Sequence, residues 1–280
     1  MHVFNEIPGL IDTLFAKKIQ KKRIGLVPTM GALHQGHLQL VQVAKQVCDA
    51  VVCSIYVNPT QFNNLEDLKN YPRTLKSDLD VLEKNQCDIV FCPQDDIMYN
   101  SSDNLTLNFG EIESVMEGKF RAGHFNGVGL VVSKLLNIVK PDVALFGQKD
   151  LQQFVIIQKL VSDLMFDVEL ICVPIVREES GLAMSSRNKR LSSEGLIKAT
   201  IFYNTLKYAK AKLKEGNTIE CVNDMVHQKF DTAGVQLEYF CVVNKSTLTE
   251  LTTVENINNT ALCIAGYVED VRLIDNMLLN

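Results

Sequence analysis

The stretch from residue 23 to residue 57 constrains the fold more than any other part of the chain. An apolar run at 23–28 is followed by a break at Thr29-Met30-Gly31 and then by apolar residues at helical spacing from Leu38 to Val47. A second, nearly continuous apolar run covers residues 50–57, as is typical of a parallel strand buried on both faces. Strand, helix and strand in this order predict a right-handed βαβ unit and therefore an α/β protein.

The turn inside this unit carries the sequence His34-Gln35-Gly36-His37, where the helix is expected to begin. The backbone N–H groups at a helix start lack intrahelical partners, and the helix dipole is positive there, so the turn is a candidate anion site. Two imidazoles add side-chain donors, and Gly36 allows a ligand to approach the backbone. If a phosphate chain bound there, these donors would stabilise the negative charge that develops during attack at phosphorus. Two ordinary surface histidines beside a turn are the alternative reading of so short a pattern.

Composition limits the classes of function that remain. The 280 residues can form one large domain or two modest ones, and the net charge of −5 argues against a nucleic-acid surface as the main partner. The N-terminus has no pattern of a signal peptide, and no apolar run approaches the roughly 20 residues needed to span a bilayer. The eight cysteines form no C-x-x-C pair and are predicted to be reduced core residues. We expect a cytoplasmic protein that binds no membrane.

Further polar segments follow predicted strands, and in an open parallel sheet ligands bind beyond such strand ends. Gln61 follows the second strand and offers both a donor and an acceptor. Lys149, in Gly147-Gln148-Lys149-Asp150, follows a strand at 142–146 and can bring a positive charge to a phosphate. Met184-Ser185-Ser186-Arg187 lies in the loop after a strand at 169–176, and its hydroxyls and guanidinium suit a triphosphate. Taken singly, these segments also fit a loop-capping amide, a routine helix cap and a serine-rich linker.

The remaining pattern predicts the supporting elements. A helix at 8–22 should present one apolar face, formed by Leu10, Ile11, Leu14, Phe15 and Ile19. A helix at 75–85 carries Asp78 and Asp80, which are expected to be solvated rather than metal ligands. Strands are predicted at 88–93 and 105–109, and residues 117–128 resemble a second anion-friendly helix start. From Ser192 onward two amphipathic helices, one with Ile197 on its apolar face, and three strands predict a smaller α+β domain.

The string from Val27 to His37 resembles the pantothenate synthetase (pantoate–β-alanine ligase) family of the nucleotidyltransferase superfamily. Matching motifs recur from about residue 23 to residue 276, including Asn-Pro-x-Gln-Phe at 58–62, Tyr-Pro-Arg-Thr at 71–74, Gly-Gln-Lys-Asp at 147–150 and Arg-Leu-Ile-Asp-Asn at 272–276. Ala122 stands where the family has proline, which should leave that loop somewhat freer without removing a reactive group.

The resemblance implies a Rossmann-like, doubly wound parallel sheet of the HxGH nucleotidyltransferase type with a smaller α+β C-terminal domain. Residues 1–176 would bind nucleotide and pantoate, and residues 177–280 would form a lid. Pantoate would attack the α-phosphorus of ATP with Mg²⁺ screening the phosphates, and β-alanine would then displace AMP from pantoyl adenylate. The family also implies a homodimer.

The resemblance carries residue roles as well. His34, His37, Lys149 and Arg187 would be catalytic, and Gln61 and Gln153 would bind pantoate and β-alanine, whereas no metal ligand is assigned. Val176 would offer backbone groups to adenine. The residues implied in ATP binding are Met30, Gly31, Ala32, Leu33, His34, Gln35, Gly36, His37, Gly147, Gln148, Lys149, Asp150, Val176, Met184, Ser185, Ser186 and Arg187.

Three alternatives stay open at this point. Another nucleotidyltransferase of the same fold should lack the paired glutamines. An enzyme like an aminoacyl-tRNA synthetase fits poorly with the acidic charge and with the absence of a large RNA-binding extension. A non-catalytic nucleotide-binding module would bind ATP and release no AMP with pantoate and β-alanine.

Overall fold

The computed structural model describes residues 1–99 and 105–280. They form two compact units, one of Met1–Gly147 with Ile156–Val173 and one of Gln148–Val155 with Pro174–Asn280. The residues Gln148–Val155 thus group with the C-terminal part of the chain, whereas the sequence places them in the N-terminal domain. The lid role of residues 177–280 stays a prediction. Within the two described ranges, no helix combines the length and apolar character that crossing a membrane requires.

The first unit contains a parallel sheet. Its described strands are β1 (His2–Phe4), β2 (Ile24–Thr29), β3 (Ala50–Ile55), β4 (Ile89–Phe91), β5 (Val143–Gly147) and β6 (Glu169–Val173). Their spatial order is β1-β4-β3-β2-β5-β6, and every neighbouring pair is parallel. The chain runs outward from β2 to β3 and β4 on one side and through β5 to β6 on the other. The expected doubly wound sheet is confirmed, and its topological switch point lies between β2 and β5.

Helices connect these strands. Their bounds are α1 (Ile7–Ile19), α2 (Gln35–Val47), α3 (Leu65–Asn70), α4 (Leu75–Lys84), α5 (Asp95–Met98), α6 (Met116–Phe120), α7 (His124–Val139) and α8 (Leu151–Asp163). The strands β2 to β5 are almost entirely buried, which explains their continuous apolar sequence.

Three details of this unit differ from the sequence-based expectation. On α1 only Leu10 and Leu14 are buried, while Phe15 and Ile19 are 65% and 67% exposed, because the elements packed on α1 cover only part of its apolar face. Residues 105–109 form no strand, since Leu107 donates its N–H to the side chain of Asn126 instead of to a neighbouring strand. The three-residue strand β1 was too short for its pattern to be read.

The second unit is the predicted smaller α+β fold. Helices α9 (Ser193–Lys214) and α10 (Ile219–Ala233) pack on an antiparallel sheet of β7 (Gln236–Asn244), β8 (Thr260–Val268) and β9 (Val271–Leu278). The helix expected from Ser192 onward is α9, and Ser192 caps it, because its hydroxyl accepts the N–H of Gly195 at 3.0 Å. Ile197, expected on the apolar face of this helix, is 72% exposed, and the buried face is centred on Phe202 and Leu206 instead.

Candidate active site

Histidines cap the helix that follows β2. His34 is the N-cap of α2, and its Nδ1 accepts the N–H of Gly36 at 3.1 Å, while Nδ1 of His37 accepts the N–H of His34 at 3.3 Å. This reciprocal arrangement resembles a capping box, with imidazoles in place of the usual hydroxyl and carboxylate. A neutral imidazole that accepts at Nδ1 carries its proton on Nε2. Both rings therefore have Nε2–H as their donor. The centroids of the two rings are 4.1 Å apart.

The turn before this helix has an unusual backbone. Gly31 and Ala32 have φ values of +78° and +50°, in the left-handed region that a residue with a side chain rarely adopts. The carboxylate of Asp78 holds the turn, accepting the N–H of Ala32 at 2.9 Å and that of Leu33 at 2.8 Å. The hydroxyl of Thr74 donates to the same carboxylate at 3.1 Å.

The expectation that Asp78 is solvated was wrong. Asp78 is only 3% exposed, and the hydrogen bonds that its carboxylate accepts compensate for this burial. A usable signal was present in the sequence: Asp78 precedes Leu82 by four residues, so both lie on one face of α4, and Leu82 is fully buried. Asp80, on another face of the same helix, is exposed as expected.

Most of the turn's backbone donors bond within the protein. Side chains accept the N–H groups of Gly31, Ala32, Leu33, His34 and Gly36. Few backbone N–H groups of this turn are therefore left for the predicted anion contact. The predicted ATP ligand Gln35 is exposed.

Gln61 lies beside this turn. It ends the short 3₁₀ segment Pro59–Gln61 after β3, and its Nε2 is 2.7 Å from Sδ of Met30. Asn58, which is 1% exposed, donates to Oε1 of Gln61 at 3.2 Å. The structure thus brings the predicted pantoate-binding amide next to the predicted nucleotide-binding turn, as the adjacent strands β2 and β3 led us to expect.

Helix α7 contacts the segment that carries Gln61. Nδ1 of His124 lies 2.8 Å from the carbonyl oxygen of Gln61, and Asn58 also donates to the carbonyl of Gly127 at 3.1 Å. A Cβ on Gly127 would lie 2.3 Å from the carbonyl oxygen of Thr60, so only glycine permits this approach. Residues 117–128, expected to be an anion-friendly helix start, therefore contribute a buried support for Gln61 that sequence reasoning missed.

The second unit holds the other predicted site residues. Gln148, Lys149 and Asp150 form a 3₁₀ turn, with Nζ of Lys149 3.8 Å from the carboxylate of Asp150. Gln153, in the first turn of α8, is half-buried. The carbonyls of Gln148 and Lys149 both bond to Asn276 of β9, a contact that nothing in the local sequence predicted.

Two hydrogen bonds within the loop hold the stretch from Val176 to Arg187. Met184 donates its N–H to the carbonyl of Val176 at 3.0 Å, so that carbonyl is already bonded within the loop. Ser185 then caps the 3₁₀ segment Ser186–Arg190 by accepting the N–H of Arg187 at 3.3 Å. Ser186 is 6% exposed.

Each unit thus contains a subset of the predicted residues. The first unit contains Met30, Gly31, Ala32, Leu33, His34, Gln35, Gly36, His37, Gln61 and, at the end of β5, Gly147. The second unit contains Gln148, Lys149, Asp150, Gln153, Val176, Met184, Ser185, Ser186 and Arg187.

Neither a protein metal cage nor a redox thiol is apparent in the described residues. They contain no cluster of three or more histidine, cysteine, aspartate or glutamate side chains suited to a metal. All eight cysteines are free thiols, and burial raises the pKa of Cys53 well above its usual value and that of Cys87 to about 11. Thiols with raised pKa values are poor nucleophiles. Five of the cysteines are buried, as predicted for core residues, whereas Cys48, Cys172 and Cys221 are half-buried.

The doubly wound sheet with an H-x-G-H turn after β2 defines the class, an α/β nucleotidyltransferase-type enzyme. The family model described as pantoate-beta-alanine ligase matches residues 2–278. The chain therefore belongs to the pantoate-beta-alanine ligase family and is a ligase.

Similar proteins cover the whole chain. It is 45% identical to a pantothenate synthetase of Christiangramia forsetii, with all of both sequences aligned. It is also 45% identical to one of Thermoanaerobacter pseudethanolicus, over 99% of this chain and 98% of that one. A crystal structure of pantothenate synthetase from Thermus thermophilus superimposes with a TM-score of 0.93 at 35% identity, covering 100% of this chain and 99% of that one.

A fourth relative carries ligands. The pantoate-beta-alanine ligase from Francisella tularensis, described as complexed with beta-gamma ATP and beta-alanine, superimposes with a TM-score of 0.84 at 35% identity. The alignment covers 100% of this chain and 98% of that one.

Proposed function

We propose that this protein condenses pantoate with β-alanine, using ATP through a pantoyl-adenylate intermediate and releasing AMP and pyrophosphate. The observation that carries the proposal is the family match over residues 2–278. The Francisella relative, solved with an ATP compound and β-alanine, supports the choice of substrates. The local geometry adds a turn that carries two Nε2–H imidazole donors and whose Met30 contacts the amide of Gln61, and these groups suit a phosphate and a hydroxy acid.

In the first unit, His34 and His37 would donate Nε2–H bonds to the α-phosphate region as pantoate attacks. Charge increases on the phosphate oxygens in that step, so preorganised donors stabilise the transition state more than the ground state. The amide of Gln61 would bind pantoate and then β-alanine. Because His124 and Asn58 hold Gln61, its amide would need little reorganisation on binding.

In the second unit, Lys149 would place a positive charge on the triphosphate, with Ser185, Ser186 and Arg187 as further donors. Gln153 would complete the pantoate site with Gln61. Val176 would meet adenine through its backbone. We propose that both units act on the same nucleotide and that residues 177–280 close over it as a lid.

Mg²⁺ would arrive with ATP as part of the substrate. The described residues supply no three-ligand cage for it, and the carboxylate of Asp78 already accepts three donors. Mg²⁺ usually keeps several waters and binds substrate phosphates, so this donor set fits an ion held mainly by the triphosphate. When bound, Mg²⁺ would screen the phosphate charge against the approaching carboxylate. A cytoplasmic homodimer remains part of the proposal.

The proposal is tested by AMP release with ATP and Mg²⁺, with pantoate and β-alanine each omitted in turn. AMP should form only when both are present, whereas pyrophosphate exchange into ATP should need pantoate alone. Exchange with a different acid and none with pantoate would indicate another nucleotidyltransferase. ATP binding without AMP release in any mixture would indicate a non-catalytic binding module. Chelation of Mg²⁺ by EDTA should abolish the reaction.

A further inference from the structure

Two consecutive polar residues are buried near the end of β9. Asp275 and Asn276 are 4% and 3% exposed. Successive side chains of a strand point to opposite faces of its sheet, so Asp275 and Asn276 are buried in different surroundings. Buried polar groups are nearly always hydrogen-bonded. Their partners are two segments that lie far away in the sequence.

Asn276 bonds to the segment that carries Lys149. Its Nδ2 donates to the carbonyl oxygens of Gln148 and Lys149, both at 2.9 Å, and its Oδ1 accepts from Nε2 of Gln148 at 3.1 Å. Both amide protons of Asn276 are therefore used on consecutive carbonyls of one turn. This places the Lys149 backbone against β9, although the two residues are 127 positions apart.

Asp275 bonds to the loop that leads to Ser185 and Arg187. Arg177 donates to both its carboxylate oxygens, at 2.6 and 3.0 Å, and also to the carbonyl of Gly181 at 3.1 Å. The guanidinium lies 4.3 Å from the ring centre of Tyr203. Burial raises the pKa of Asp275, and the hydrogen bonds and charge of Arg177 oppose that shift.

We propose that Asp275 and Asn276 form a positioning pair that ties two functional segments of the second unit to one point of β9. Asn276 orients the turn bearing Lys149, and Asp275, through Arg177, orients the loop that continues to Ser185–Arg187. Neither residue would contact substrate, and each would act through the segment that it holds. This inference rests on the proposed function, because Lys149 matters only if it acts on the nucleotide.

Asn276→Asp separates hydrogen bonding from packing, since it keeps the shape of the side chain and removes both donors. Two carbonyls would then face a carboxylate, and the Lys149 turn would shift. A displacement of about 1 Å near reacting groups can reduce a rate on the order of 10²-fold, so we expect kcat to fall roughly 10- to 100-fold. KM for pantoate should change much less. Asn276→Ala serves as the second variant if the aspartate variant fails to fold.

A double-mutant cycle distinguishes positioning from general stability. In a Lys149→Ala background, Asn276→Asp should cause little further loss of kcat, because the group that it positions is already gone. An equal fold-loss of kcat in both backgrounds, or a lower Tm with unchanged kcat, would overturn the proposal. If both Asn276 variants fail to fold, Gln148→Ala, which removes the reciprocal bond from the other side, is taken through the same cycle.

Glu238→Gln provides the matched control. Glu238 of β7 accepts hydrogen bonds from Arg272, which lies four residues before Asn276 on β9 and hence about 13 Å along the strand. This variant weakens another polar contact of β9 and should change Tm without changing kcat. The wild-type assay keeps the two proposals apart. If the wild type releases no pantoate-dependent AMP, the proposed function fails, whereas an active wild type with an additive cycle rejects only the positioning pair.

Discussion

The two predicted nucleotide-binding segments are held by opposite kinds of hydrogen bond. In the first unit, side-chain acceptors bond the N–H groups of residues 31–34 and 36, with Asp78 bonding two of them. In the second unit, a side-chain donor, Asn276, bonds the carbonyls of Gln148 and Lys149. Each turn is therefore bonded by a buried side chain from a distant element, Asp78 or Asn276, but different backbone groups are occupied.

This difference bears on how each segment can meet an anion. Where the N–H groups are already bonded, we expect phosphate binding to depend on side-chain donors, and the two imidazoles are the donors that we propose. In the second segment, backbone carbonyl oxygens accept N–H bonds from a carboxamide. These oxygens would repel a phosphate, and here they are bonded within the protein instead. The comparison predicts that the first segment depends on its histidines and the second on correct placement of Lys149.

The largest expected effect comes from His37→Ala. Loss of one preorganised donor to the developing charge should reduce the adenylation rate on the order of 10²–10³-fold. Quenched-flow measurement of pyrophosphate formation from ATP and pantoate, without β-alanine, tests this, with exposed His2→Ala as the control of equal chemical change. A rate within threefold of the wild type would show that the first segment does not depend on this imidazole.

Asp78→Asn tests the support of the first segment. The amide keeps one acceptor oxygen, but its NH₂ group faces the backbone N–H of Ala32 or of Leu33. We expect this loss of a charged acceptor to lower the free energy of unfolding by about 1.5–3 kcal/mol. The rate of AMP release should fall as well, since residues 32 and 33 would move. Asp80→Asn, on the exposed face of α4, should change neither urea unfolding nor rate, and equal effects of the two variants would contradict the assigned role.

Gly181→Ala tests the loop of the second segment. Gly181 has a φ of +89°, and an added Cβ would lie 2.1 Å from Cδ1 of Tyr203. Gly216 is the matched control because its φ is +91° and an added Cβ would meet nothing within 4 Å. Urea unfolding should show Gly181→Ala to be less stable than Gly216→Ala by about 1–3 kcal/mol, the usual cost of overpacking. Equal losses would mean that the contact with Tyr203 does not matter.

The smallest expected effect concerns Glu269, an exposed carboxylate that accepts N–H and O–H bonds from Ser192. These bonds lower the pKa of Glu269 below its usual value of 4.5. A lowered folded-state pKa stabilises the protein above the unfolded pKa, and this contribution is lost as the pH falls through the folded pKa. Glu269→Gln should therefore lower Tm slightly at neutral pH and not at all at pH values well below 4.5. A constant difference across pH would contradict the assigned charge effect.

Local patterns predicted some elements well and some contacts not at all. The break at residues 29–31 and the polar segment at 58–62 follow adjacent parallel strands, so their proximity could be anticipated from the βαβ pattern. The cap by Ser192 was also predictable because the donor and acceptor lie within one turn. The bonds from Asp78 to Ala32 and from Asn276 to Lys149 join residues 46 and 127 positions apart, and periodicity indicates a buried face without naming its partner.

The amino-acid sequence by itself determined the fold class, the family and the residue types available for chemistry, because strand and helix periodicity and the separated motifs are local in the chain. Only the tertiary structure decided which groups those residues engage: that each imidazole accepts at Nδ1, that Asp78 is buried under the turn, and that Asn276 bonds the Lys149 segment. The physical reason is that hydrogen-bond partners depend on distances between elements, and the packing of those elements sets these distances.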